Sequence, residues 1–211
     1  MTSVADTSLG AGRFERLYDY AERAFVTLLG LSIILRFLPG LAKHPFDIVL
    51  LTSECAAVAM VLLRKRSQRT DLSPYAIAIA LGGTTAGLMV RPGGQPLVPE
   101  VAAGLVMIAG GFLSLAAKVC LNRSFGLTAA NRGIKRSGPY RAVRHPMYAG
   151  YILTQAGFLL AHPTPWNAAV YVVAWGLQIL RIAAEEKVLT EDPAYRDYAA
   201  GVRARLIPGL Y

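Results

Sequence analysis

The chain alternates long apolar blocks with short polar connections, and no stretch shows the every-other-residue alternation of a half-buried strand. Apolar blocks occupy residues 17–38, 46–63, 76–90, 101–121, 147–161 and 166–182. A helical bilayer crossing takes about 20 apolar residues. The pattern therefore predicts an all-α fold, a multipass transmembrane helical bundle of about five to six spans. The first block is uninterrupted only over 24–35, and Arg23 and Arg36 are expected to snorkel toward opposite interfaces. The third is short, and its Gly82, Gly83 and Gly87 suit close helix packing, as do Gly104, Gly110 and Gly111 in the long fourth block. The fifth and sixth, joined by His162-Pro163-Thr164-Pro165, are shorter than a comfortable crossing and predict a tilted or partial hairpin. The amphipathic tail beyond residue 182 predicts one cytosolic helix stopped by Pro208-Gly209.

Two regions follow from this layout. Residues 1–121 form the first four spans, while 122–211 gather charge and aromatic residues around the last hairpin. With 211 residues, 54% hydrophobic and 17% charged, the chain is neither disordered nor a disulfide-stapled module. Too little polar sequence remains for a separate soluble catalytic domain, so chemistry belongs at the membrane surface or between helices. The net charge of +9 would suggest nucleic acid in a soluble chain. Its placement suggests otherwise. Sixteen of the 22 basic residues lie before the first block or after the second, fourth and sixth, and Arg23, Lys118 and Arg181 lie inside blocks near those same ends, leaving only Arg36, Lys43 and Arg91 elsewhere. That is the positive-inside pattern for a chain with both ends in the cytosol, and the excess reads as topology and attraction to anionic lipid. Cys55 and Cys120, without metal-type spacing, read as small buried hydrophobes, and no metal is expected. Glu54 falls in mid-block, where an isolated charge costs roughly 2.5–3.5 kcal/mol, and is expected to face the bundle protonated or hydrogen-bonded. The polar start, with Asp6 and Arg13 before any apolar run, lacks the form of a cleaved signal peptide.

Candidate chemistry concentrates at the mouth of the fifth block. Pro146 suits the first turn of a helix, which places Arg144 and His145 at the N-cap beside free backbone donors. Such a helix start favours an anion or a carboxylate. Simple anchoring of Arg144 and Lys135 to lipid phosphate is the alternative. At the other end of the hairpin, Arg181 and Glu185 are spaced i, i+4, an arrangement that also makes an ordinary helix salt bridge of about 0.3–0.5 kcal/mol. Glu186 lies about 100° around the helix, so the two glutamates cannot share one role. The residues thus predict a cytosol-facing pocket between two helix ends, with carboxylates suited to ribose hydroxyls or a cationic centre. They do not name a cofactor.

Five short segments carry a resemblance: Gly138-Pro139-Tyr140-Arg141, Arg144-His145-Pro146-Met147-Tyr148, Glu185-Glu186, Tyr195-Arg196-Asp197-Tyr198 and Arg205-Leu206-Ile207-Pro208-Gly209. In this order and spacing they resemble the C-terminal signature of the isoprenylcysteine carboxyl methyltransferase family, to which the phospholipid N-methyltransferases are related. The resemblance covers about residues 122–210, with Asn122 standing where relatives often carry glycine. It implies a bacterial-type integral membrane enzyme that moves a methyl group from S-adenosylmethionine to a lipophilic acceptor, at the cytosolic face of the cytoplasmic membrane. Small-molecule, lipid-modified and membrane-lipid acceptors all suit it. It further implies that Arg132, Gly133, Ile134, Lys135, Tyr140, Arg144, His145, Pro146, Met147, Tyr148, Glu185 and Glu186 hold the cofactor. Arg181 would contact the acceptor, and Arg181, Glu185 and His145 would form the catalytic set. A carboxylate acceptor needs no general base and suits Arg181. An amine or thiol acceptor would make His145 or Glu186 the candidate base. NADPH-dependent membrane reductases of the steroid and sterol type share an Arg-His-Pro-x-Tyr-like element and form a competing reading. A non-enzymatic membrane subunit or small transporter is a third, set against the scarcity of mid-span charge.

Overall fold

The computed structural model describes residues 3–63, 73–87, 89–121 and 133–209, with side chains from residue 17 onward. Among these, the chain forms seven α-helices and no strand: α1 (Ser3–Phe37), α2 (Asp47–Leu63), α3 (Pro74–Gly87), α4 (Glu100–Leu121), α5 (Pro146–Ala161), α6 (Pro165–Leu189) and α7 (Pro193–Gly201). Each apolar block has become one helix, but the ends differ in two places. Helix α1 begins at Ser3, well ahead of its apolar block. The tail is not a single helix: α6 continues through the charged turn to Leu189, breaks, and gives way to α7. The break has a local cause. The Asp192 side chain accepts from the Ala194 amide at 2.9 Å, and Pro193 takes the first helical position, where its missing N–H costs nothing.

Two helices, α4 and α6, are long and apolar enough to cross a membrane. Helix α4 divides its surface between two faces. Val101, Leu105, Ile108, Phe112, Leu115 and Val119 form an exposed apolar stripe at three- and four-residue spacing. A stripe of this length would be costly in water and suits lipid. The opposite face buries small residues, among them Gly110, Gly111, Ser114 and Ala117.

That small-residue face lets α4 and α5 approach to backbone contact. A Cβ built on Gly150 would lie 2.5 Å from the Ser114 amide nitrogen, and one on Gly157 would lie 2.8 Å from that of Met107. Side chains larger than hydrogen cannot occupy these positions without separating the helices. Helices α3 and α6 meet through Gly82 and Gly83 against Leu177. The two snorkelling arginines have more specific duties than anchoring. Arg23 Nη1 donates to the Leu62 carbonyl at 2.6 Å at the end of α2, and Arg36 Nη1 donates to the Val90 carbonyl at 3.2 Å.

At the end of the bundle away from the tail, Asn167 joins the 89–97 segment to the α5–α6 turn. Its Oδ1 accepts from the Arg91 amide at 3.0 Å, and its Nδ2 donates to the carbonyls of Arg91 and His162. His162 Nδ1 accepts from the Gly93 amide at 3.1 Å. The bundle core has two layers. One, at this far end, gathers Ile33, Phe37, Leu50, Met107, Phe158 and Tyr171. The other draws the tail into the bundle, packing Tyr195, Tyr198 and Leu206 with Tyr140, Tyr148 and Ile182.

Candidate functional site

The site forms where the start of α5 faces the last turns of α6. Pro146 opens α5 with His145 at its N-cap, as the sequence predicts. What holds this helix start was not visible in the sequence. The Arg144 amide donates to the Ala204 carbonyl at 2.9 Å, and the His145 amide donates to the Arg205 carbonyl at 2.8 Å. The extended segment after α7 therefore clamps the Arg144-His145-Pro146 run. The preceding 3-10 turn, Gly138–Arg141, begins at Gly138 with φ +58°, and a Cβ there would lie 2.7 Å from Cys120 Sγ. Glycine is required on both counts. The turn buries Tyr140, whose carbonyl accepts from the Tyr198 hydroxyl at 2.7 Å.

The two adjacent glutamates point into different surroundings, as the 100° step between helical neighbours requires. Glu186 is buried among four side chains. Its Oε1 lies 3.1 Å from both Arg144 Nη1 and His145 Nε2 and accepts from the Tyr195 hydroxyl at 3.4 Å, while Oε2 accepts from Arg205 Nε at 2.8 Å. It sits beyond the apolar stretch of α6. Burial raises its pKa, but the hydrogen bonds of His145 and Arg205, with the charges of His145 and Arg144, outweigh that and hold it down at about 2.

Glu185 turns toward the bundle interior. The Tyr148 hydroxyl donates to its Oε1, Arg181 Nε approaches the same oxygen at 3.5 Å, and His145 Nδ1 lies 3.9 Å from Oε2. The Arg181 guanidinium stands 5.5 Å over the Tyr148 ring, a cation–π placement that orients a buried positive charge. His145 thus touches both carboxylates and couples the two clusters.

Below Arg181 the site opens into a cavity between the helices. Helices α1, α2 and α3 supply one wall, with Val26, Leu29, Val58 and Gly83. Helices α5 and α6 supply the other, with Tyr148, Tyr151, Gln155, Gln178 and Arg181. Glu54 lines this cavity and so faces the bundle, as expected from its mid-block position.

The structure brings Arg144, His145, Tyr148, Arg181, Glu185 and Glu186 into one cluster. Pro146 and Met147 are buried in the same turn, Met147 on the cavity wall. Gly133, Ile134 and Lys135 lie in the segment leading to the 3-10 turn, Gly133 with φ +97°. Arg132 lies outside the described residues. Sequence reasoning gave no role to Gln155 and Gln178, although their spacing to Tyr148 and Arg181 puts them on the same helix faces. It also passed over Lys118, fully buried near the end of α4, whose Nζ donates to the Ser53 carbonyl at 2.7 Å and lies 4.7 Å over the Tyr151 ring.

Comparison with known proteins shows what the chain is similar to. A family model described as phospholipid methyltransferase matches residues 99–195, from α4 to the start of α7. Protein-S-isoprenylcysteine O-methyltransferase A from Arabidopsis thaliana is 33% identical over 108 residues, covering 47% of this chain and 55% of the relative. The chain therefore spans about half the length of the curated relative it matches. With α4 and α6 long and apolar enough to cross a membrane, that similarity suggests a membrane protein. Over residues 99–195, which carry most of the paired-glutamate site, the chain is similar to the phospholipid methyltransferase family, and over 108 residues to an isoprenylcysteine O-methyltransferase.

Proposed function

We propose that this protein transfers a methyl group from S-adenosylmethionine to the carboxylate of a lipophilic acceptor, at the cytosolic face of a multipass bundle. The observation that carries the reading is the junction at Arg181. On one side lies the carboxylate of Glu185, and on the other a cavity that descends between the apolar helices. A polar cofactor and an apolar acceptor can meet there, each from its own phase.

The residues present fit the cofactor. Arg144 Nε is a buried donor with no acceptor among the described residues, suited to the carboxylate of the amino-acid part. Glu185, the less enclosed of the two glutamates, suits ribose hydroxyls or a positive centre. The segment from Gly133 to Lys135, with Tyr140, His145, Pro146, Met147 and Tyr148, would complete the cofactor's surroundings. When bound, the cofactor supplies an electrophilic methyl group on a sulfonium. A carboxylate acceptor is anionic at neutral pH, so no residue need remove a proton. Arg181 then orients it, Tyr148 fixes Arg181 through its ring and Glu185 through its hydroxyl, and the packed helix ends exclude water. With Glu186 engaged by Arg144, His145, Tyr195 and Arg205, its part is to hold the helix start and the tail in place.

Calorimetry with S-adenosylmethionine and NADPH tests the cofactor, and transfer of labelled methyl groups to long-chain carboxylates and amines tests the acceptor. The expected result is S-adenosylmethionine binding that Glu185→Gln weakens at least tenfold, on the scale of a lost charged hydrogen bond. Arg181→Ala is expected to spare cofactor binding and to raise the acceptor KM. Binding of NADPH alone would move the protein to the reductase reading, and methylation of amines alone would replace the carboxylate.

A further inference from the structure

The amide ladder beneath Arg181 holds an oxygen left without a partner among the described residues. Trp175 Nε1, which can only donate, gives its hydrogen to Gln155 Oε1 at 2.8 Å. That contact fixes the Gln155 amide. The Gln178 group facing the same oxygen, at 3.3 Å, must then be its nitrogen. Gln178 Oε1 is thereby turned away from Gln155, buried and without a hydrogen-bond partner among the described residues, in a side chain only 6% exposed on the cavity wall. Leaving such a group unsatisfied costs stability, and two glutamines at this depth are themselves unusual. The neighbouring Thr84 hydroxyl cannot serve, because it donates to the Ala80 carbonyl of its own helix at 2.8 Å.

We infer that the acceptor carries a hydroxyl group a few bonds beyond its carboxylate, and that Gln178 selects for it by accepting that hydroxyl's hydrogen at Oε1. The inference rests on the reading that the acceptor enters this cavity with its carboxylate at Arg181. Gln178 precedes Arg181 by three residues, a rise of about 4.5 Å along α6 on nearly the same face. A hydroxyl near the carboxylate of an aliphatic chain reaches this depth. An all-hydrocarbon chain would leave the carbonyl oxygen of Gln178 stranded, and a site built to hydrogen-bond a hydroxyl discriminates against the analogue that lacks it.

The test uses the full chain in detergent and follows tryptophan fluorescence, since Trp175 is one bond from the amide pair. The probes are hexadecanoate and hexadecanoates hydroxylated at successive carbons near the carboxylate. One hydroxylated isomer is expected to bind about tenfold tighter than hexadecanoate, the scale of a single neutral hydrogen bond. In Gln178→Leu and Gln178→Met the ratio should fall to about one, with Tm unchanged or raised because the stranded oxygen is gone. Equal binding of every probe, which results if water alone meets Gln178, overturns the inference, as does a preference that survives in both variants. Methyl transfer to the same probes separates this from the proposed function. A hydroxyl preference in binding without methylation would remove the carboxylate reaction and keep the role of Gln178. Methylation without that preference would do the reverse.

Discussion

Glu186 shows how much one side chain organises. Its carboxylate is the meeting point of Arg144 and His145 from the start of α5, Tyr195 from α7 and Arg205 from the tail. With its pKa held at about 2 against an ordinary 4.5, it contributes stability that is fully present above about pH 4.5 and is lost as pH falls toward 2. Glu186→Gln should therefore melt below the parent protein at pH 7, by the several degrees that stranding buried cations produces. The gap should close as both proteins are taken from pH 4.5 toward pH 2. Melting curves across that range check both statements, and a gap that persists at low pH would mean Glu186 acts through shape, not charge. The sequence made Arg144, His145, Arg181 and Glu185 legible because a helix start and an i, i+4 pair are local geometry. Arg205 was not legible as a partner. A single tail helix would carry it roughly 28 Å from Glu186, and only the break at Asp192-Pro193 folds it back.

Most helix ends were readable from hydrophobic blocks because each block is apolar on nearly every face and stops at charge, proline or glycine, whereas α1 and α6 run on through polar sequence to Ser3 and Leu189. Pairing was not readable, since many glycine faces could meet. The structure selects α4 with α5, and the choice rests on Gly110, Gly150 and Gly157. Gly150→Leu should thus deprive the detergent-solubilised protein of its folded, monodisperse form, a loss beyond the 1–3 kcal/mol of ordinary overpacking because backbone is in the way. Gly176, on α6, has nothing within 4 Å of a built Cβ, so Gly176→Leu should fold normally. Size-exclusion profiles of the two variants give the comparison. Equal behaviour would mean that α4 and α5 are not packed through glycine. Because α5 carries His145 and Tyr148 at its start and Gly150 in its next turn, the same close approach sets the height of the site relative to α4.

At the scale of the whole molecule, the proposed reaction would require the site to face the compartment that holds a methyl donor. The fold sorts charge accordingly. Helices α5 and α6 run from the site to the far end and back, so the α5 start and α6 end share one face of the bundle with Arg136, Arg141, Lys187, Arg196 and Arg203. The α1–α2 connection, with Lys43, and the Arg91 turn lie at the opposite end, where Asn167 and His162 bind the turn together. Basic residues are retained on the cytosolic side of membrane chains, and the proposed function puts the site end there on that ground. With Cys55 and Cys120 replaced by alanine, a single cysteine at Arg203 should resist a membrane-impermeant maleimide in intact cells and react once the membrane is opened. A single cysteine at Lys43 should react in both. The reverse pattern would put Glu185 and Arg181 away from the cytosol and remove the proposed donor, whereas labelling of both positions from one side would contradict a bundle whose ends lie across a bilayer.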